Sequence, residues 1–171
     1  VSEQPVFSKS AERRVKDKLP VPESCPHCQA KVSLVSNAKV YGGREYGDWP
    51  WIYRCEGPNC GAYVGTHPNT NIPLGTLATA EIREARVKAK EQFNVLLQSR
   101  QMTRTEAYSW LAGKLNIATA ACHFGWFDAQ QCATAFKVLT EANEPPVRSA
   151  VAVKAFADLR SLLGMKVAQR A

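Results

Sequence analysis

Two close pairs of thiols stand out in the sequence: Cys25-Pro26-His27-Cys28, and Cys55-Glu56-Gly57-Pro58-Asn59-Cys60, with twenty-six residues between the pairs. Zinc takes four soft ligands in a tetrahedron, and two short loops can deliver them with little chain strain. Cys25, Cys28, Cys55 and Cys60 are therefore the expected ligands of one structural zinc. Four thiolates leave no open coordination position, so chemistry at the metal is not expected. His27 lies inside the first knuckle and His67 follows the second. Either imidazole can replace a thiolate as ligand, although four cysteines already complete the set. Three disulfides in a secreted protein are the competing use of six cysteines. The opening residues Val1-Ser2-Glu3-Gln4-Pro5 lack the basic-then-apolar pattern of a secretory signal, which favours metal binding and a cytoplasmic location.

A second group of reactive residues is less well organised. Cys122 and His123 are neighbours in sequence, so their side chains diverge, and Cys132 falls on the apolar stripe of a helix. His67 sits near Asn69, Thr70 and Asn71 in a polar loop. A hydrolase or nuclease using His67 or His123 needs carboxylates or imidazoles converging on a metal, and the acidic residues fall mainly on helix surfaces. No Walker or Rossmann glycine loop is present. Enzymatic activity is therefore the weakest of three functional readings.

Binding is the stronger one. Tyr41, Tyr46, Trp49, Trp51, Tyr53 and Tyr63 crowd one short segment, flanked by Lys39, Arg44 and Arg54. Aromatic faces beside cations are what unstacked bases and their phosphates require. The same rings can instead build the core of a minimal sheet. Farther on, Arg83, Arg86 and Lys90 line one side of a long helix, where they can track a phosphate backbone or face solvent. A net charge of +7, spread thinly along the chain, permits an anionic partner. The candidate nucleic-acid surface is Tyr41, Arg44, Trp49, Trp51, Tyr53, Arg54, Arg83, Arg86 and Lys90, with single-stranded DNA the favoured ligand. The alternative is an adaptor or inhibitor that docks a host polymerase, nuclease or defence component. The sequence leaves the oligomeric state open.

The elements that position these residues follow from periodicity. Residues 1–24 alternate charges and reach Pro20 and Pro22, which predicts a mobile or short helical arm. Residues 25–75 form the ribbon: Lys31–Val35 alternates as a strand, Ser36-Asn37 turns, Lys39–Tyr41 returns as its hairpin partner, and Trp49–Arg54 is a further strand with its start at an edge because of Pro50. Residues 76–142 read as a helical domain containing a helical hairpin. Its first helix carries Ile82, Ala85, Ala89, Phe93 and Leu96 on one stripe. Thr103 to Glu106 has capping-box spacing, with Tyr108, Leu111, Ala112 and Leu115 following. Asp128 caps a third helix, with Cys132, Ala135, Phe136 and Leu139 inward. Pro145-Pro146 opens a C-terminal helix within 143–171. The fold class is thus α+β, a small antiparallel zinc-ribbon sheet followed by about four helices. Hydrophobic residues make up 45% and charged residues 22%, and no apolar run approaches the ~20 residues of a membrane span, so no membrane partner is expected.

Cys-Pro-His-Cys at 25–28, the Tyr41–Arg44 loop, Cys60–His67, Pro73–Ala78, Glu106–Ala112 and Cys122–Asp128 together resemble a family of uncharacterised zinc-finger-containing proteins of bacteriophages and prophages. The resemblance covers about residues 25–140. It implies a phage-type accessory protein acting in the host cytoplasm, and names no activity. The ribbon is also similar to the four-cysteine zinc ribbons at the ends of bacterial type I topoisomerases, which implies single-stranded DNA binding through aromatic and basic side chains. It departs from them in its shorter second knuckle and its glycine-rich insert.

Overall fold

The computed structural model describes residues 5–144. A three-stranded antiparallel sheet is built from β1 (Val32–Ser36), β2 (Trp51–Cys55) and β3 (Tyr63–Gly65), in that spatial order. Its register pairs Val32 with Cys55, Leu34 with Tyr53 and Tyr53 with Val64. Opposed residues share a face. One face therefore carries Val32, Leu34, Tyr53, Cys55 and Val64, and with Cys25, Ala62 and Leu77 these form a small buried core around the thiols. The other face carries Ser33, Arg54 and Tyr63 in one row and Val35, Ile52 and Gly65 in the next.

Lys39–Tyr41 is not a strand. Residues Asn37–Lys39 form a 3₁₀ turn, and the partner of β1 is β2. Buried Asn37 explains the change: its amide donates to the Tyr46 carbonyl at 2.8 Å and accepts from the Tyr46 N–H at 3.1 Å. That clamp closes residues 38–46 into a loop, helped by Gly42 and Gly43 at φ of 65° and 90°, a region costly for other residues. Pro50 lies just before β2 rather than inside it, so β2 is a full central strand, and the Pro50 carbonyl still accepts from the Asn37 N–H at 2.7 Å.

Three α-helices follow the sheet among the described residues: α2 (Ala80–Arg100), α3 (Arg104–Leu115) and α4 (Ala129–Asn143). α2 starts at Ala80, where Thr79 caps it, while residues 76 and 78 are held by other partners. The capping box of Thr103 and Glu106 forms as its spacing predicts, and Asp128 with Gln131 makes a second one. The helices enclose Ala89, Phe93, Leu96, Leu111, Phe127, Cys132, Ala135 and Leu139. Phe136 departs from the expected stripe and is 40% exposed, since it follows Ala135 by 100° around the helix. The predicted C-terminal helix lies outside the described residues. No described helix is long and apolar enough to cross a membrane.

Ribbon and helices join through backbone. The Gly125 carbonyl accepts from the Thr76 N–H at 3.0 Å, and a Cβ on Gly75 would stand 2.2 Å from that same oxygen. Only glycine permits such an approach. Before the ribbon, α1 (Lys9–Arg14) is capped by Ser8 and buries Ala11, while the Ser8 N–H donates to the Asn69 carbonyl at 2.8 Å. The arm thus contains the short helix its sequence allows.

Candidate metal centre and open sheet face

Each pair of cysteines is presented by a tight knuckle. In the first, the Gln29 N–H donates to the Cys25 carbonyl at 2.9 Å, and Gln29 adopts a left-handed φ of 61°. In the second, the Cys60 N–H donates to the Gly57 carbonyl at 3.3 Å, and Asn59 takes φ of 63°. Pairing of β1 with β2 brings the two knuckles together. The four Sγ atoms of Cys25, Cys28, Cys55 and Cys60 lie within 4.8 Å of one another, with Cys25–Cys60 at 3.6 Å and Cys28–Cys55 at 3.3 Å. A tetrahedron with Zn–S bonds of about 2.3 Å has edges of roughly 3.8 Å. A disulfide needs about 2.05 Å, and all six cysteines are free. The donor set and spacing therefore fit one structural zinc.

The electrostatics fit as well. Burial pushes the Cys55 thiol up to about 12, while a hydrogen bond from the Ala30 backbone draws Cys28 down. Without a cation the Cys55 thiol resists ionisation; a bound divalent metal deprotonates its thiol ligands outright. The Gly57 N–H adds a hydrogen bond to Cys55 Sγ at 3.2 Å. Gly57 also has a role that the sequence reading missed: a Cβ there would stand 2.8 Å from Cys28 Sγ and 3.3 Å from Cys55 Sγ. The only sequence signal was a glycine inside a short knuckle. Neither histidine joins the cluster. His27 Nε2 bonds the Leu77 carbonyl at 3.0 Å, and His67 lines a cavity elsewhere. Cys122 and Cys132 are buried in the helical core.

The candidate nucleic-acid residues separate into two groups. Tyr53 is a correction: it is 4% exposed with its hydroxyl donating to the Asn71 carbonyl at 2.7 Å, so it is core and has no face for a base. Trp49 and Trp51 are half-buried, with the Trp49 indole donating to Thr66 Oγ1 at 2.8 Å and its ring packed edge-on to Phe7. Arg86 is half-buried, and its guanidinium donates to the Phe127 carbonyl at 2.9 Å, the Thr76 carbonyl at 3.1 Å and Thr76 Oγ1 at 2.6 Å, which ties the segment leaving the ribbon to the turn before α4. Lys90 is half-buried and donates to Tyr108 Oη at 2.9 Å over the rings of Phe93, Tyr108 and Phe124.

The remaining residues converge on the sheet face opposite the metal. Tyr41 and Tyr46 are 46% and 51% exposed, with ring centroids 5.1 Å apart. Tyr41 also meets Tyr63 at 6.5 Å. Arg44 lies over Tyr46 at 5.1 Å and Arg83 over Tyr63 at 3.9 Å, while half-buried Arg54 stands opposite Tyr63 in the strand register. Arg83 also donates to the Ala78 carbonyl at 2.5 Å.

Residues 21–142 match the model of a family described as a zinc-finger-containing domain, well over half of the chain. No curated protein and no solved structure matches.

Proposed function

This chain belongs to the zinc-finger-containing domain family, and from that premise we propose that its ribbon binds single-stranded nucleic acid, DNA before RNA, on the open face of the sheet. The observation that carries the proposal is the unbroken series Arg44, Tyr46, Tyr41, Tyr63 and Arg83, with Arg54 beside it. Exposed rings offer π-faces to successive unpaired bases, and arginines between them meet the phosphates. A duplex hides its base faces, so a stacking surface of this kind selects single strands. The zinc holds the scaffold and takes no part in contact. The sequence's resemblance to phage and prophage proteins supports an accessory role in nucleic-acid handling.

The test is fluorescence anisotropy of the zinc-loaded protein with labelled single-stranded DNA, duplex DNA and RNA across a salt series. Single-stranded DNA should bind tightest. Three phosphates neutralised by Arg44, Arg54 and Arg83 give a log–log salt slope of about −2. Tyr46→Ala should weaken binding by about 1–3 kcal/mol, the worth of one stacked base. Absence of binding at low salt, or binding indifferent to Tyr46→Ala and Arg44→Ala together, would sink the proposal. The face would then be left to a protein partner.

A further inference from the structure

The N-terminal arm, the loop after β3 and the turn before α4 enclose an open cavity of about 550 Å³, away from the metal. Its volume lies within the range of ~300–1,000 Å³ common to small-molecule sites. The polar groups on its wall are nearly all donors. Arg14 and Lys16 come from the arm, His67 from the loop, Tyr108 from α3 and His123 from the turn. Tyr108 Oη already accepts from the Lys90 ammonium at 2.9 Å, so its own O–H remains to be given. His123 Nε2 is buried without a hydrogen-bond partner, its nearest charge being Asp17 Oδ2 at 3.5 Å. Asp17 is the one carboxylate among the described residues lining the cavity. A cavity rich in donors and cations, with its single carboxylate beside an imidazole, is built for an anion.

Its other feature is aromatic. The His123 and Trp126 rings pack 4.3 Å apart at 47°, with Leu74 and Phe124 adjoining the cavity. We propose that this cavity is a binding site for a nucleoside monophosphate, with the phosphate met by Arg14, Lys16 and the Tyr108 hydroxyl, and the base lying against His123 and Trp126. The site uses none of the residues of the open sheet face and stands independently of the ribbon's role.

Isothermal titration of the zinc-loaded full chain with adenosine 5′-monophosphate, adenosine and inorganic phosphate tests this. The monophosphate should bind at least about tenfold more tightly than either fragment, because only it uses both halves of the site. Lys16→Ala removes an exposed cation without touching the core, and Tyr108→Phe removes a donor while keeping the ring. Each should weaken the monophosphate by about tenfold, the worth of one hydrogen bond to a charged group. Tyr46→Ala should leave this affinity unchanged while reducing strand binding. No heat from the monophosphate, equal affinity for monophosphate and phosphate, or indifference to both Lys16→Ala and Tyr108→Phe overturns the assignment.

Discussion

Replacing Gly57 with alanine tests how closely the second knuckle is fitted to the metal. The new Cβ would lie 2.8 Å from Cys28 Sγ, 3.0 Å from the Ala30 Cβ and 3.3 Å from Cys55 Sγ. Comfortable non-bonded separations begin near 3.5 Å, so the methyl must displace Cys28 by roughly 0.7 Å or push the knuckle outward. Metal–ligand distances tolerate only about 0.2 Å. Overpacking of this kind costs about 1–3 kcal/mol. Here it falls on the metal-bound state, which corresponds to zinc binding weakened by about 5- to 150-fold. Competition against a chromogenic chelator reads the affinity, and far-UV circular dichroism checks that the helices persist. Gly61→Ala is the control: it directly follows the same knuckle at φ of 61°, yet nothing lies within 4 Å of its Cβ position. Its effect should be confined to backbone strain. Wild-type zinc affinity in Gly57→Ala would refute the inference that the four thiols close around this glycine.

Other perturbations act on separate parts of the fold. Chelation should unfold the ribbon, whose core is small and centred on the thiols, while most helical circular dichroism at 222 nm survives because Phe93, Leu96, Leu111 and Phe127 pack without the metal. Loss of both signals together would show the two parts to be one cooperative unit. Arg86→Ala strands the carbonyls of Thr76 and Phe127 and should cost about 2 kcal/mol, or roughly 4–8 °C in melting temperature, with Arg86→Lys recovering less than half; an unchanged melt would contradict the tie. Burial holds the His67 imidazole below its ordinary value, so below about pH 6.5 the unfolded chain takes up the proton more readily. Its contribution is present above that pH and is lost as pH falls. Melts at about pH 7.5 and 5.5 should therefore show a smaller acid loss in His67→Gln than in the parent protein; equal losses would remove the half-buried imidazole from the account.

The zinc site was legible because ligand spacing is a local property: each knuckle is complete within six residues, and the metal's chemistry dictates what the two must do together. Helices α2, α3 and α4 were legible through period and caps. What escaped the sequence depended on contacts between distant segments. Lys39–Tyr41 has the composition of a strand, yet the Asn37 clamp on Tyr46 sends it into a loop. Tyr53 and Tyr63 belong to adjacent strands, and only the register decides that one faces the metal core and the other the open side. Arg86 and Lys90 look like a solvated basic stripe until the turn before α4 supplies a carbonyl and, with Tyr108 of α3, aromatic rings. Likewise, His67 and His123 are far apart in sequence and line one cavity only because the Gly75–Gly125 crossing draws their loops together.

Zinc K-edge X-ray absorption on the purified, zinc-loaded protein tests the central claim most directly. The account predicts one zinc per chain with a first shell of four sulfurs at about 2.3 Å and no nitrogen or oxygen scatterer. A shell containing imidazole or water, or fewer than four sulfurs, would contradict a closed site made by Cys25, Cys28, Cys55 and Cys60.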